Sequence, residues 1–310
     1  MRGGRRGDHF VSPALPDAQQ RNGGAMKFLG TGAGAGTPNP FCRCRICENA
    51  RKVKGREIRT RSSFLLDSKT VIDIGADYFA QSFLYDTCFA ETEHVLYTHM
   101  HDDHINYTMM WERLVRRSSE QHTLNVYLVG DAYRFITDFY KTSLITKGCE
   151  ACLDPKNINI VKLEHGKEYM ISGYKITPVK ANHETSFEKN GSNYLIEQGG
   201  KKLFYGLDTG GFSDEALELL KGAGLEVLIT ECTFPAENHI GGYCGHMDLT
   251  MLWENLAILY EIRAINDKTR VYISHIEAMG MTHEELCAYT QNIGKPYRVI
   301  TAHDNMEIEL

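Results

Sequence analysis

The chain has 310 residues, of which 42% are hydrophobic and 24% are charged, and its formal net charge is −6. That length suits one large α/β domain or two smaller ones. No run of 18 or more apolar residues occurs, so no transmembrane helix is expected, and the negative charge disfavours a broad nucleic-acid surface.

The first 25 residues differ in composition from the rest of the chain. They contain four arginines, two aspartates, five glycines and few apolar residues. Because the segment has no apolar core, it does not fit a secretory signal, and we expect a disordered basic extension over residues 1–25. A basic arm for nucleic acid is the alternative. The folded domain is predicted to cover residues 26–310.

Strand-like and helix-like runs alternate along the remaining sequence. The predicted strands are residues 63–66, 70–74, 94–97, 124–129, 169–179, 192–197, 202–207, 226–230, 271–274 and 297–302. The predicted helices are residues 105–117, a run that starts at 131, and residues 214–220, 249–265 and 283–290. Ser213, Asp248 and Thr282 are suitable caps for the last three helices. Two β-rich halves flanked by helices predict two sheets between helical layers.

The most informative motif, residues 98–104, follows the predicted strand 94–97. It reads Thr-His-Met-His-Asp-Asp-His, and so places three histidines and two carboxylates within six residues. His99 and His101 are two apart and point to the same side of an extended chain. Imidazole is the commonest metal ligand, and carboxylate is its usual partner. Asp103 and His104 can serve a second cation, whereas Asp102 is expected to be a solvated loop residue.

The pattern Thr-His-x-His-x-Asp-His resembles the signature of the metallo-β-lactamase superfamily. The resemblance implies an αββα sandwich with one or two metals at one edge, and further ligands at later strand ends. The implied ligands are His99, His101 and His183 for one metal, Asp103, His104 and His275 for the second, and Asp208 as the bridge. Since these residues must converge, a single domain over 26–310 is favoured.

The same resemblance implies two divalent cations, Zn or Mn, and a hydroxide shared between them that attacks phosphorus. Asp103 is expected to help orient the water. His246, just before a predicted helix, resembles a histidine of related phosphodiesterases and is the candidate general acid. A positioning or helix-capping role is the alternative for His246, and His239 is a weaker candidate for the acid.

A glycine-rich opening over residues 28–38 and the cluster Cys42, Cys44 and Cys47 are similar to the phosphonate-pathway cyclic ribose phosphodiesterases. That resemblance implies a structural zinc on the three cysteines. Its fourth ligand in those enzymes is a histidine, but this chain has Ala278 at the matching position. His283, Cys244 or an unidentified residue could replace it.

Nine cysteines without a signal peptide indicate a reducing compartment, and we expect a cytoplasmic protein. Cys149 and Cys152 form a second, weaker pair. Two reduced thiols in a surface insertion are favoured there over a redox or metal site.

The function predicted from these features is metal-dependent hydrolysis of a small, cyclic phosphodiester. Alternatives are a transfer-RNA-processing ribonuclease, a lactonase or thioester hydrolase, and a non-catalytic carrier like a quinone-biosynthesis relative. The insertion 137–159 lacks a basic Gly/Pro-rich arm, which disfavours the ribonuclease. The expected partner is a small-molecule phosphodiester. We expect no binding to a membrane or to nucleic acid, and the sequence leaves open whether the chain forms a homodimer.

Overall fold

A computed structural model of the protein describes residues 25–109, 112–113, 122–142, 154–185, 189–239 and 244–310. The expected N-terminal extension, apart from residue 25, lies outside these described residues. So do the pair Cys149 and Cys152 and most of the predicted helix 105–117, of which residues 109, 112 and 113 are helical.

The described residues form fourteen strands. In chain order they are β1 (Met26–Gly30), β2 (Ser63–Asp67), β3 (Thr70–Ile72), β4 (His94–Leu96), β5 (Leu124–Val129), β6 (Ile158–Leu163), β7 (Tyr169–Ile171), β8 (Tyr174–Lys180), β9 (Ser192–Gln198), β10 (Lys201–Gly206), β11 (Val227–Glu231), β12 (Arg270–Ser274), β13 (Arg298–Thr301) and β14 (Met306–Ile308). One sheet has the order β14-β1-β2-β3-β4-β5-β6, and the other has the order β13-β12-β11-β10-β9-β8-β7.

Helices cover the outer faces of both sheets. They are α1 (Arg45–Val53), α2 (Tyr78–Leu84), α3 (Gly130–Thr142), α4 (Asp214–Leu220), α5 (Leu249–Glu261) and α6 (His283–Gln291). The predicted caps are confirmed, because Ser213, Asp248 and Thr282 each accept a backbone N–H from the first turn that follows. None of the described helices is long and apolar enough to cross a membrane.

Three apolar clusters hold the layers together. Phe28 and Phe64 of one sheet pack between the sheets with ring centroids 4.9 Å apart, beside Ile229 of the other sheet. Ile136 of α3 packs on the outer face of the first sheet, and Leu252 of α5 on that of the second. Each large apolar side chain buried in this way contributes about 1.5–3 kcal/mol. The expected αββα sandwich is confirmed.

Several predicted elements differ from the structure. The predicted strand 169–179 is a hairpin, β7 and β8, because Ser172 and Gly173 adopt positive φ values of 52° and 82° and turn the chain. The sequence patterns missed β1, β6, β14, α1 and α2. Except for α1, these elements have seven residues or fewer, too few for a clear periodic signal.

The strand directions bring distant parts of the chain to one edge. β10, β11 and β12 pair in parallel, and β3, β4 and β5 do so in the other sheet. His99 follows β4, Asp208 follows β10 and His275 follows β12. Since carboxyl ends of parallel strands meet at one edge, these polar side chains collect there.

Candidate metal centre

Seven polar side chains converge at this edge, and all of them were predicted as ligands. They are His99, His101, Asp103, His104, His183, Asp208 and His275. All are buried except His101, which is partly buried. Burial of so many polar groups is costly unless each one is paired or coordinates a cation.

Three imidazole nitrogens of the first predicted group face one another. His99 Nε2 lies 3.0 Å from His101 Nδ1, and His183 Nε2 lies 3.1 Å from the same atom. Burial, together with the neighbouring histidines, lowers the pKa of His99 and of His101. These rings are therefore neutral, which is the form that binds a metal.

The second predicted group gathers around Asp103. Its Oδ2 lies 3.3 Å from His104 Nε2 and 3.5 Å from His275 Nε2. Asp208 stands between the two groups. Its Oδ2 lies 3.0 Å from His104 Nε2, and its Oδ1 lies 3.1 Å from His275 Nε2 and 3.9 Å from His183 Nε2. This is the position predicted for the bridging carboxylate.

Unsatisfied polar atoms at the centre show that the donor set fits divalent cations. His104 Nε2, Asp208 Oδ2 and His275 Nε2 are buried and make no hydrogen bond of acceptable geometry. Imidazole nitrogen and carboxylate oxygen are the ligands that zinc and similar cations accept. The two groups that share Asp208 could therefore hold one cation each.

A buried carboxylate that the sequence reasoning missed supports the second group. Asp73 follows β3 and is fully buried. It accepts the backbone N–H and the hydroxyl of Thr98, both at 2.8 Å, and it contacts His104 Nδ1 at 2.7 Å. Such a partner fixes the tautomer that leaves Nε2 free to coordinate. A polar residue directly after the apolar run Val71-Ile72 was the available signal.

Two other histidines of the cluster are held at their outward nitrogens. His275 Nδ1 contacts Thr233 Oγ1 at 2.8 Å, and His183 Nδ1 contacts the carbonyl oxygen of Gly245 at 2.9 Å. A side chain at Gly245 would collide with His183, since an added Cβ would lie 2.9 Å from its Nδ1. These contacts aim Nε2 of both rings into the centre.

Glu231, the last residue of β11, is a second buried carboxylate that sequence reasoning missed. It accepts the backbone N–H groups of Thr209 at 2.6 Å and Met247 at 3.0 Å. It also accepts the hydroxyl of Thr233 at 2.5 Å. Glu231 therefore ties together the segments that carry Asp208 and His246.

His246, the candidate general acid, lies at the rim of the cluster. Its side chain is 22% exposed, and its Nδ1 lies 3.4 Å from Glu231 Oε2 and 3.8 Å from Asp208 Oδ1. Burial alone would lower its pKa, but Glu231 and then Asp208 raise the pKa of His246 to about 9. His239 is exposed beside Phe234, outside the cluster.

The glycine-rich opening lies against the metal centre, as expected of a loop near the active site. An added Cβ at Gly34 would lie 3.4 Å from Asp103 Oδ2. Gly36 has a φ of 64°, a conformation that favours glycine. The loop that starts at β1 therefore runs close beside a predicted ligand.

The three cysteines form a separate cluster. The Sγ atoms of Cys42, Cys44 and Cys47 all lie within 4.8 Å of one another. Cys44 Sγ accepts the backbone N–H of Cys47 and caps α1, and it lies 3.4 Å from the carbonyl oxygen of Ala278. Burial raises the pKa of the Cys47 thiol to about 12, so this ligand would ionise only with a cation beside it.

The two alternatives named for the fourth zinc ligand, His283 and Cys244, have contacts with other groups. His283 Nδ1 contacts Arg59 Nη2 at 2.9 Å, and its Nε2 faces Cys287 Sγ at 3.4 Å. Cys244 is exposed, and its Sγ lies 3.9 Å from the carbonyl oxygen of His246. We assign no fourth ligand to the cysteine cluster.

Comparisons with known proteins agree with this geometry. The model of the Beta-lactamase superfamily domain matches residues 69–276. A curated relative, an octanoyltransferase of Porphyromonas gingivalis (strain ATCC BAA-308 / W83), is 28% identical over 164 residues. That match covers 48% of this chain, which spans about a third of the relative's length (32%).

Two solved structures share the fold over nearly the whole chain. A diphosphatase from the PhnP family is 19% identical, with a TM-score of 0.66, and the match covers 92% of this chain and 97% of that one. Zn(2+)-bound PqqB from Methylobacterium extorquens is 17% identical, with a TM-score of 0.69, and the match covers 92% and 99%. At these identities the likeness concerns the fold alone.

Proposed function

The chain belongs to the beta-lactamase superfamily, and on that premise we propose that it is a metal-dependent hydrolase of a small phosphodiester, a cyclic one included. The observation that carries the proposal is the position of Asp208, whose two oxygens face histidines of both predicted metal groups. An intact set of this kind favours an enzyme over a non-catalytic carrier.

The residues divide into two ligand groups that share one carboxylate. His99, His101 and His183 would hold one cation, Asp103, His104 and His275 the other, and Asp208 both. Two bound cations supply Lewis acidity, which polarises a phosphoryl oxygen and lowers the pKa of a water. Asp103, at the edge of the glycine-rich loop, would orient the attacking water.

His246 would donate the proton that the leaving alkoxide needs. Its Nδ1 lies 3.4 Å from Glu231 and 3.8 Å from Asp208, which leaves Nε2 to face the leaving oxygen. Donation from a positioned histidine typically contributes 10²–10⁴-fold to the rate. Glu231 would hold the ring in place, because its carboxylate is itself fixed by two backbone N–H groups.

The choice of a phosphodiester rests on two further features. The cysteine cluster beside Ala278, together with the intact ligand set, is the combination that resembles cyclic ribose phosphodiesterases. The structural relative from the PhnP family is itself a diphosphatase, so phosphate chemistry occurs on a closely similar fold. The expected partner is accordingly a small phosphate ester.

The test is hydrolysis of bis(p-nitrophenyl) phosphate and of a cyclic ribose phosphate by protein reloaded with zinc or manganese. Turnover should disappear in H101A and persist in the matched control H122A, because His122 is exposed and lies outside the cluster. Elemental analysis should find two cations at the histidine cluster, plus one zinc that disappears in a C44S variant. No turnover of either substrate would refute the phosphodiesterase.

One observation favours a second candidate, a thioester hydrolase. The curated relative that matches 48% of the chain is an octanoyltransferase. The same ligand set could open an acyl thioester, since fold does not fix substrate. Faster turnover of an octanoyl thioester than of either phosphodiester would favour this candidate, whereas cleavage of a precursor transfer RNA would favour the ribonuclease.

A further inference from the structure

A cavity of about 390 Å³ opens between α6 and β13. One wall is the face of α6 that carries His283, Cys287 and Thr290, and the opposite wall is β13 with its flanking residues. None of the seven ligands predicted for the histidine cluster lines this cavity. It is therefore separate from the metal centre.

The cavity is strongly cationic in a chain whose net charge is −6. Arg56 and Arg298 line it, and none of the described lining residues is acidic. Lys295 lines it as well, but its Nζ lies 5.5 Å from the ring centroid of Trp253, which is outside the cavity. Within the part of the chain that the structure describes, neither Arg56 nor Arg298 forms an ion pair. Unbalanced cations around a concave surface concentrate positive potential and attract anions.

A further cation lies beneath the floor. Arg59 is only 4% exposed, and its Nη2 lies 2.9 Å from His283 Nδ1. Burial and then Arg59 lower the pKa of His283 to about 3, so this ring is neutral and polar. The ring of His303 stands nearly perpendicular to it, with centroids 5.8 Å apart. Both nitrogens of His283 are already in contact with protein groups, and Arg59 interacts with the carboxylates of Asp304 and Glu57. The charge available to a ligand therefore comes from the residues that line the cavity.

We propose that this cavity is a second binding site, which takes a small organic molecule that carries a phosphate group. Arginine donates paired N–H groups that match phosphate oxygens, and two arginines without a lining carboxylate suit a doubly charged anion. The volume of 390 Å³ lies within the range of small-molecule pockets, roughly 300–1,000 Å³. The cavity therefore has room for more than the phosphate itself.

The first test is calorimetric titration of glycerol 3-phosphate and of inorganic phosphate into the metal-loaded protein, the variant R56A/R298A, and the control K162A/K268A. Lys162 and Lys268 are exposed and do not line the cavity, so the control removes the same charge elsewhere. Any phosphate bound at the metal centre contributes equally to all three titrations.

Wild type and control should show a binding event that weakens about tenfold or more in R56A/R298A, because charge-assisted hydrogen bonds are lost. Glycerol 3-phosphate should bind more tightly than inorganic phosphate. Identical isotherms in all three proteins would overturn the proposal. Binding of inorganic phosphate without binding of the ester would overturn its assignment to an organic phosphate.

The second test locates the ligand through Cys287, a partly buried thiol in the cavity wall. Its alkylation by iodoacetamide, followed by peptide mass spectrometry, should slow about tenfold at a ligand concentration ten times Kd. Cys88, which is exposed outside the cavity, should react at an unchanged rate. Equal slowing of both thiols, or unchanged alkylation of Cys287 when calorimetry shows binding, would refute the location.

Discussion

Replacement of Asp73 by asparagine should weaken metal binding without any change in the ligand set. The wild-type carboxylate accepts from Thr98 twice and from His104 Nδ1 at 2.7 Å, inside a fully buried site. His104 therefore carries its proton on Nδ1 and presents Nε2 to the cluster. The amide of an asparagine would donate to Nδ1 instead and move the imidazole proton to Nε2, which cannot then coordinate.

The size of the effect follows from these contacts. A hydrogen bond to a charged group contributes about 1.5–3 kcal/mol, which corresponds to about 10–100-fold in an equilibrium constant. Loss of an outer partner of a metal-binding histidine typically lowers metal affinity by the same factor. D73N should therefore bind one of its two cations about 10–100-fold more weakly, while the other affinity stays nearly constant.

Competition with a chromophoric chelator measures both affinities. The matched control is D67N on the same hairpin, because Asp67 is half-buried at the turn and accepts a backbone N–H of Lys69, with no contact to the histidine cluster among the described residues. D67N should keep both affinities. Equal affinities in D73N and wild type, or an equal loss at both sites, would show that Asp73 does not orient His104 and would refute the reasoning.

Three other predictions follow from the described contacts. E231Q should lower kcat about 10–100-fold for a substrate with a poor leaving group and much less for one that releases p-nitrophenolate, because His246, the proposed general acid, loses its carboxylate partner. Equal losses of kcat for both substrates would contradict this role. G75A should destabilise the fold by about 1–3 kcal/mol in urea titrations, because its Cβ would lie 2.1 Å from the carbonyl oxygen of Asp103. G34A should cost much less stability, because its Cβ would lie 3.4 Å from Asp103 Oδ2. The pKa of His283 is about 3 in the folded protein and 6.5 when unperturbed, so the unfolded chain binds more protons below pH 6.5. The free energy of unfolding should thus fall by about 1–2 kcal/mol between pH 7 and pH 5, and H283Q should remove that part of the fall.

The sequence predicted the ligand histidines well because their signal is local. His99, His101 and His104 lie within six residues after an apolar strand, and each later ligand follows a recognisable strand. The caps of α4, α5 and α6 were equally local, since a cap and the backbone N–H that donates to it are three residues apart. Features defined within one turn or one strand end can be found without an alignment.

What sequence reasoning missed depends on contacts between distant segments. Asp73 meets Thr98 across 25 residues, and nothing in either local pattern predicts the pairing. His283 looked available as a zinc ligand, but Arg59, 224 residues earlier, occupies its Nδ1. The helices α1 and α2 have only nine and seven residues and show no long periodic pattern. Tertiary packing decided each of these cases.

The two missed carboxylates have different roles although both are buried at strand ends beside a histidine. Asp73 faces the outward nitrogen of a predicted ligand, so its loss should appear in metal affinity. Glu231 faces a histidine at the rim and raises its pKa, so its loss should appear in kcat while metal content stays constant. If D73N loses metal affinity while E231Q loses only kcat, His246 is not one of the metal ligands. Metal loss in E231Q would instead place it among the ligands, and the leaving group would then need another proton donor.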